Sequence, residues 1–213
     1  GMAGDAVDYL NLASRYALTF RPFLVAMTGL SGTGKSTVAR AVAQATGAEL
    51  HASDLVRKEL AGVVGAAGAE WGKGIYDERL TERTYDRLAD LARESLAGNR
   101  PVVLDATFLD EKQRREVAAV AADMKSRLVL VETVCDEAVV MQRLAARQER
   151  GDSPSDATTA IYRRQREEVE AAPPAVPAGA IAVRVDTMRD GPVWLDPVLA
   201  SLQNAGLLAA RVR

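Results

Sequence analysis

The segment MTGLSGTGKSTVAR, Met27 to Arg40, constrains the fold of this chain more than any other stretch. Gly29, Gly34, Lys35 and Ser36 satisfy the spacing G-x-x-x-x-G-K-[ST]. The apolar run FLVAM precedes it as a buried strand, and KSTVARAVAQATG follows as a helix closed by Gly47. Strand, tight loop and helix form one unit. The glycines let successive backbone N–H groups turn inward at one anion, and the helix start adds roughly half a positive charge. Such a nest fits an oligophosphate, so Gly29, Leu30, Ser31, Gly32, Thr33, Gly34, Lys35, Ser36 and Thr37 are assigned to phosphate binding. Lys35 is expected to reach the β- and γ-phosphates, and Ser36 to give its hydroxyl oxygen to Mg²⁺, a hard cation that takes oxygen ligands.

The same alternation continues along the chain. AELHAS reads as a strand, DLVRKELAG as a short helix, and 63–74 as a glycine- and alanine-rich loop with no core pattern. A helix from about Tyr76 to Leu96, the strand PVVLDATF, a helix from Asp110 to Met124 and the strand SRLVLVETV follow. Asp136 caps a helix to about Arg150, and SPSDATTAIYRRQREEVEAA is a charged helix stopped by Pro173 and Pro174. AIAVRVDT is the last strand and VWLDPVLASLQNAGLL the last helix. Parallel strands need crossover connections, so this order implies an α/β fold with a parallel sheet covered on both faces. Ligands of such sheets bind beyond the carboxyl ends of the strands, where Gly29, Asp54 and Asp105 fall.

A phosphate loop alone serves GTPases, motors and kinases. No N-K-x-D sequence of the GTPase kind is present, and 213 residues leave little room for a motor's coupling elements, so a small kinase is favoured. Asp54 and Arg57 lie three apart at the start of a helix and share a face. A carboxylate there can take the proton of an acceptor hydroxyl while the arginine holds the acceptor. Read alone, the pair also fits a capping carboxylate beside a solvated arginine. Asp105, closing PVVLD, can hold a Mg²⁺-bound water or orient Arg57, and Thr107 can add a polar contact. Arg143, Arg147 and Arg150 keep within roughly 60° of one helix face, a basic stripe suited to closing over a migrating phosphoryl group. Arg147 is the preferred lid residue.

GLSGTGKST, SDLVRKEL, VVLDATFLDEKQRR and RLAARQERGDSPSDA together resemble small P-loop kinases of the gluconate kinase, adenylylsulfate kinase and polynucleotide kinase type. The resemblance runs over most of Phe23 to Thr187 and is strongest to a kinase domain often fused behind an aminoglycoside-phosphotransferase-like domain. It implies the three-layer nucleoside-monophosphate-kinase-like fold, strand order 2-3-1-4-5, with a helical lid over about 136–171. It implies that Asp54 is a general base, that Arg57 binds the acceptor, that Asp105 positions that arginine, and that Arg147 is a lid arginine for which Arg143 or Arg150 can substitute. VDT matches the end of the strand bordering the adenine, which brings Asp186 and Arg143 into the expected nucleotide site. In fused relatives a helix like AVDYLNLASRYAL joins the two domains, so residues 1–22 are read as a leading helix and linker and 23–213 as the kinase domain. Gly1 ahead of Met2 is read as a scar of tag removal.

Composition narrows the partners. Twenty-seven Lys and Arg against 29 Asp and Glu give a formal charge of -2, and aromatics are 5%, a poor match to a polynucleotide-coating surface with stacking platforms. A small hydroxylated acceptor is therefore expected, with a nucleic-acid 5′ end and an ATP-binding sensing module as the competing readings. Cys135 is the sole cysteine and reads as a small buried hydrophobe in a reducing cytosol. No apolar run spans a bilayer, Asp5 and Asp8 stand where a signal peptide would be basic, and a cytoplasmic protein is expected.

Overall fold

The apolar runs FLVAMT, VVLD and RLVLVETV form the middle of a five-stranded parallel sheet in the computed structural model, which describes residues 22–62, 78–150, 158–188 and 191–208. The strands are β1 (Phe23–Thr28), β2 (Glu49–Ala52), β3 (Val102–Asp105), β4 (Arg127–Val134) and β5 (Ile181–Asp186), in the order β2-β3-β1-β4-β5. This is the order implied by the resemblance. Val25 of β1 pairs with Val103 of β3 and Val129 of β4, and Ala52 of β2 pairs with Asp105.

Seven α-helices are described: α1 (Lys35–Thr46), α2 (Ser53–Leu60), α3 (Glu78–Ala97), α4 (Glu111–Asp123), α5 (Glu137–Arg150), α6 (Thr159–Ala171) and α7 (Asp196–Asn204). Every residue of β1 is buried, as a central strand covered on both faces must be. Its side chains alternate between two cores. Phe23, Val25 and Met27 pack with Val38 and Val42 of α1 and Val198 and Leu202 of α7. Leu24 and Ala26 pack with Leu88 of α3 and Val117 and Val120 of α4. Burying each such aliphatic or aromatic side chain is worth about 1.5–3 kcal/mol, so the sheet holds the phosphate loop on a rigid base.

The helix boundaries follow local chemistry. The Asp110 carboxylate accepts from the Lys112 N–H at 2.7 Å and starts α4, Asp136 accepts from Ala138 N–H at 2.8 Å ahead of α5, and Thr158 caps α6. The expected single last helix divides: Gly191–Leu195 is a 3₁₀ turn, and α7 begins at Asp196 with Pro197 in its first turn. Proline disfavours α-helix in the residue before it and supplies no N–H, which resets the chain at this point. The charged helix expected from the SPSDATT stretch begins at Thr159; residues 151–157, the 63–74 loop and the leading helix before Pro22 lie outside the described residues. No helix among the described residues is long and apolar enough to cross a membrane.

Candidate active site

Each β-strand of the inner sheet ends beside the loop between β1 and α1. Gly29 opens that loop at φ 131°, where an added Cβ would stand 2.6 Å from the Thr133 carbonyl oxygen of β4. Its N–H donates to the Thr107 carbonyl at 3.2 Å, tying the loop to the chain leaving β3. The Thr33 hydroxyl donates to the Leu30 carbonyl at 2.7 Å and meets the Thr133 hydroxyl at 2.8 Å. The Lys35 ammonium crosses the loop to the Leu30 carbonyl at 2.8 Å. Gly34 precedes α1 at φ 94°, close against the Thr187 side chain.

These constraints leave a cavity of about 110 Å³ lined by Ser31, Gly32, Gly34, Lys35, Ser36 and Thr37 of the loop, with Arg40, Asp54, Asp105, Thr107 and Arg147 around it. Burial pulls the Lys35 ammonium down to about 8, against Asp105 and Asp54, which favour its charge, while Arg147 opposes it. Burial pushes the Asp105 carboxyl up, against a hydrogen bond from Ser36 and the charge of Lys35. Acid and base groups thus face one another across a polar cavity.

The structure brings most of the expected residues together and separates the others. Asp54, on the first turn of α2, and Arg147, on α5, both line the cavity. Arg57 is one turn further along α2 and lies by Tyr85 of α3; burial pushes the Tyr85 phenol up, against its hydrogen bond with Thr107 and the charge of Arg57. Arg143 turns to the end of β5, donating to the Thr187 hydroxyl at 3.1 Å and carbonyl at 3.0 Å. Asp186 is exposed and accepts from the Met188 N–H at 2.9 Å. The Arg150 side chain lies outside the described residues.

Thr133, Arg114 and Gln165 join the surroundings of the loop without any signal in the sequence. Arg114 is buried and donates to the Phe108 carbonyl at 2.7 Å, the Thr28 hydroxyl at 2.8 Å and the Pro174 carbonyl at 2.9 Å. It holds Phe108 at φ 42°, unusual outside glycine, and so shapes the turn that carries Thr107. In sequence, Arg114 is one cation of EKQRRE and carries no sign of burial.

Among the described residues no cluster of three or more His, Cys, Asp or Glu side chains is placed to hold a metal by itself. Ser36 and Asp105 offer only oxygen, the donor set of a hard cation that completes its shell with phosphate oxygens and water. A larger cavity of about 500 Å³, mostly apolar, is lined by Gly29, Leu30, Leu130, Tyr162 and Pro174 among others; Lys35, Asp54, Asp105 and Arg147 do not reach it. Lys35, Asp54, Asp105 and Arg147 gather at the smaller one.

Residues 24–172 match the family model described as AAA domain. The chain belongs to that family. Its matched region runs from β1 to the end of α6 and stops short of β5 and Thr187. The uncharacterized protein Rv2004c of Mycobacterium tuberculosis is 32% identical over 161 residues, 75% of this chain. The chain spans about a third, 32%, of the length of the curated relatives it matches. Among solved structures, the gluconokinase of Sinorhizobium meliloti aligns with a TM-score of 0.55 at 20% identity, covering 86% of this chain and 93% of that one. The APS kinase CysC of Mycobacterium tuberculosis, solved with AMPPNP and APS, aligns with a TM-score of 0.57 at 21% identity, covering 86% and 98%. This AAA domain chain therefore has the fold of the small P-loop kinases.

Proposed function

We propose that the chain is an ATP-dependent phosphotransferase that moves the γ-phosphate of ATP to a hydroxyl group of a small molecule. The observation that carries this reading is the meeting of Lys35, Ser36, Asp54, Asp105 and Arg147 around one cavity at the phosphate loop. Loop N–H groups other than those of Gly29, Ser31 and Thr33, which donate to Thr107, Gln165 and Leu30, bind the phosphates together with Lys35; Ser36 and Asp105 are the residues that would hold Mg²⁺, which would supply charge neutralisation there. Asp54 takes the proton of the acceptor hydroxyl as its oxygen bonds to the γ-phosphorus; the bond to the bridging oxygen breaks, and ADP keeps that electron pair. Arg147 stabilises the charge spread over the transferring group, and Arg57 orients the acceptor beside Tyr85.

A small acceptor is supported by the cramped, polar cavity and by the gluconate and APS named for the two kinases of like fold. The net charge of -2 and the scarcity of aromatics weigh against a polynucleotide end. The length of the curated relatives supports a domain within a longer protein. A screen of ATP consumption against sugars, sugar acids, antibiotics, nucleosides and 5′-hydroxyl oligonucleotides tests the reading. Acceptor-dependent ADP release with a small alcohol is expected; release with oligonucleotides alone would move the acceptor class, and none with any acceptor would leave a nucleotide-binding module.

A further inference from the structure

The phosphate loop is gripped from outside at three consecutive residues, all by α5 and α6. Leu30 packs on a small cluster made by Val140 and Leu144 of α5 and Tyr162 of α6. Gly32 leaves no room for a side chain: a Cβ there would stand 2.8 Å from Val140 and 3.1 Å from Leu144. Between them, the Ser31 N–H donates to the side-chain oxygen of Gln165 at 2.9 Å, across 134 residues of sequence. Gln165 is three residues after Tyr162, so both reach the loop from one face of α6. Ser31 itself is 8% exposed and lines the cavity.

We propose that Gln165 is a positioning residue for nucleotide binding, its amide oxygen holding the Ser31 N–H so that the pose of α6 sets the shape of the phosphate loop. The proposal rests on the nucleotide-binding part of the reading above. A buried backbone donor requires an acceptor, and among the described residues no backbone carbonyl takes this one; Gln165 supplies it. The loop is thereby held in one form before ligand arrives. Without Gln165 the Ser31 peptide seeks other partners, the receptive form is less populated, and apparent affinity falls by that fraction. Leu144 touches the Gly32 position and Arg147 lies one turn further along α5 beside the cavity, so one helix carries both the contact with the loop and that arginine.

The test measures AMPPNP dissociation constants and nucleotide-free thermal unfolding for the wild type, Gln165→Met, Gln165→Ala and Lys35→Ala. Methionine keeps the length of the side chain and lacks the amide oxygen. A three- to ten-fold weaker dissociation constant is expected for both Gln165 variants, on the order of one hydrogen bond, with the unfolding midpoint lowered by about 2–4 °C and to the same extent in the two. A dissociation constant within about twofold of wild type overturns the proposal. So does a weakening that tracks a fall in midpoint from Met to Ala, which would assign Gln165 to packing alone. Loss of binding in Lys35→Ala alongside unchanged Gln165 variants sinks this inference and leaves the nucleotide reading standing, whereas wild-type binding by Lys35→Ala sinks both.

Discussion

Thr187, the residue after β5, donates its hydroxyl to the Thr33 carbonyl of the phosphate loop at 2.8 Å, joining chain segments 154 residues apart. The same side chain approaches Gly34 and receives Arg143 from α5. Edge strand, phosphate loop and α5 meet at one hydroxyl. Thr187→Val keeps the shape and removes the donor. A stability loss of about 1 kcal/mol by denaturant unfolding is expected, with weaker AMPPNP binding; unchanged binding would make Thr187 a purely structural link.

Asp54→Asn separates proton transfer from binding. The amide keeps the size of the side chain and its place at the start of α2, and loses the basic oxygen. Acceptor-dependent turnover is expected to fall about 10²- to 10⁴-fold with nucleotide affinity nearly unchanged. If only thermal stability falls, Asp54 serves the helix terminus alone.

Lys35 is expected to make nucleotide binding pH-dependent. In the free protein burial holds its ammonium near 8, against Asp105 and Asp54 and with Arg147 opposing its charge, whereas bound phosphates favour the charged form. Binding above pH 8 therefore takes up a proton, and affinity is expected to fall by up to about tenfold per pH unit as pH rises. The stability of the free protein moves the other way. Between about 8 and the unfolded value of 10.5 the unfolded chain holds a proton that the folded chain has shed, so this contribution to stability rises with pH. Calorimetry of the wild type in buffers of different ionisation heat reads the proton uptake; binding heats independent of the buffer above pH 8 would mean that Lys35 is already charged in the free protein.

Gly32→Ala tests the contact between the loop and α5. At φ 81° the alanine is strained, and its Cβ meets Val140 at 2.8 Å, so α5 must shift. A loss of about 1–3 kcal/mol is expected, together with reduced turnover because Arg147 rides on that helix. Full activity would show that α5 yields without moving Arg147.

The phosphate loop, the alternating strands and Asp105 at the end of β3 were legible because each is local: a spacing, a hydrophobic run or a run's last residue. The strand order came through resemblance, and the sheet has that order. The division of the last helix at Asp196 and Pro197 was written in the sequence too, in a proline that the apolar periodicity masked. The arginine stripe was legible as a stripe only. Arg143 and Arg147 are one turn apart, and their different targets, Thr187 and the cavity, depend on how α5 lies against Gly32.

Sequence by itself therefore determined that this chain builds a phosphate-binding loop on a parallel sheet, because glycine freedom, helix-start charge and strand burial act over a few neighbouring residues. Tertiary structure alone decided which distant groups serve that loop. Gln165, Thr133, Thr187 and Arg114 are ordinary polar residues in their own segments, and acquire these partners, two hydroxyls, a carbonyl and a backbone amide 86 to 154 residues away, only when the sheet and helices assemble.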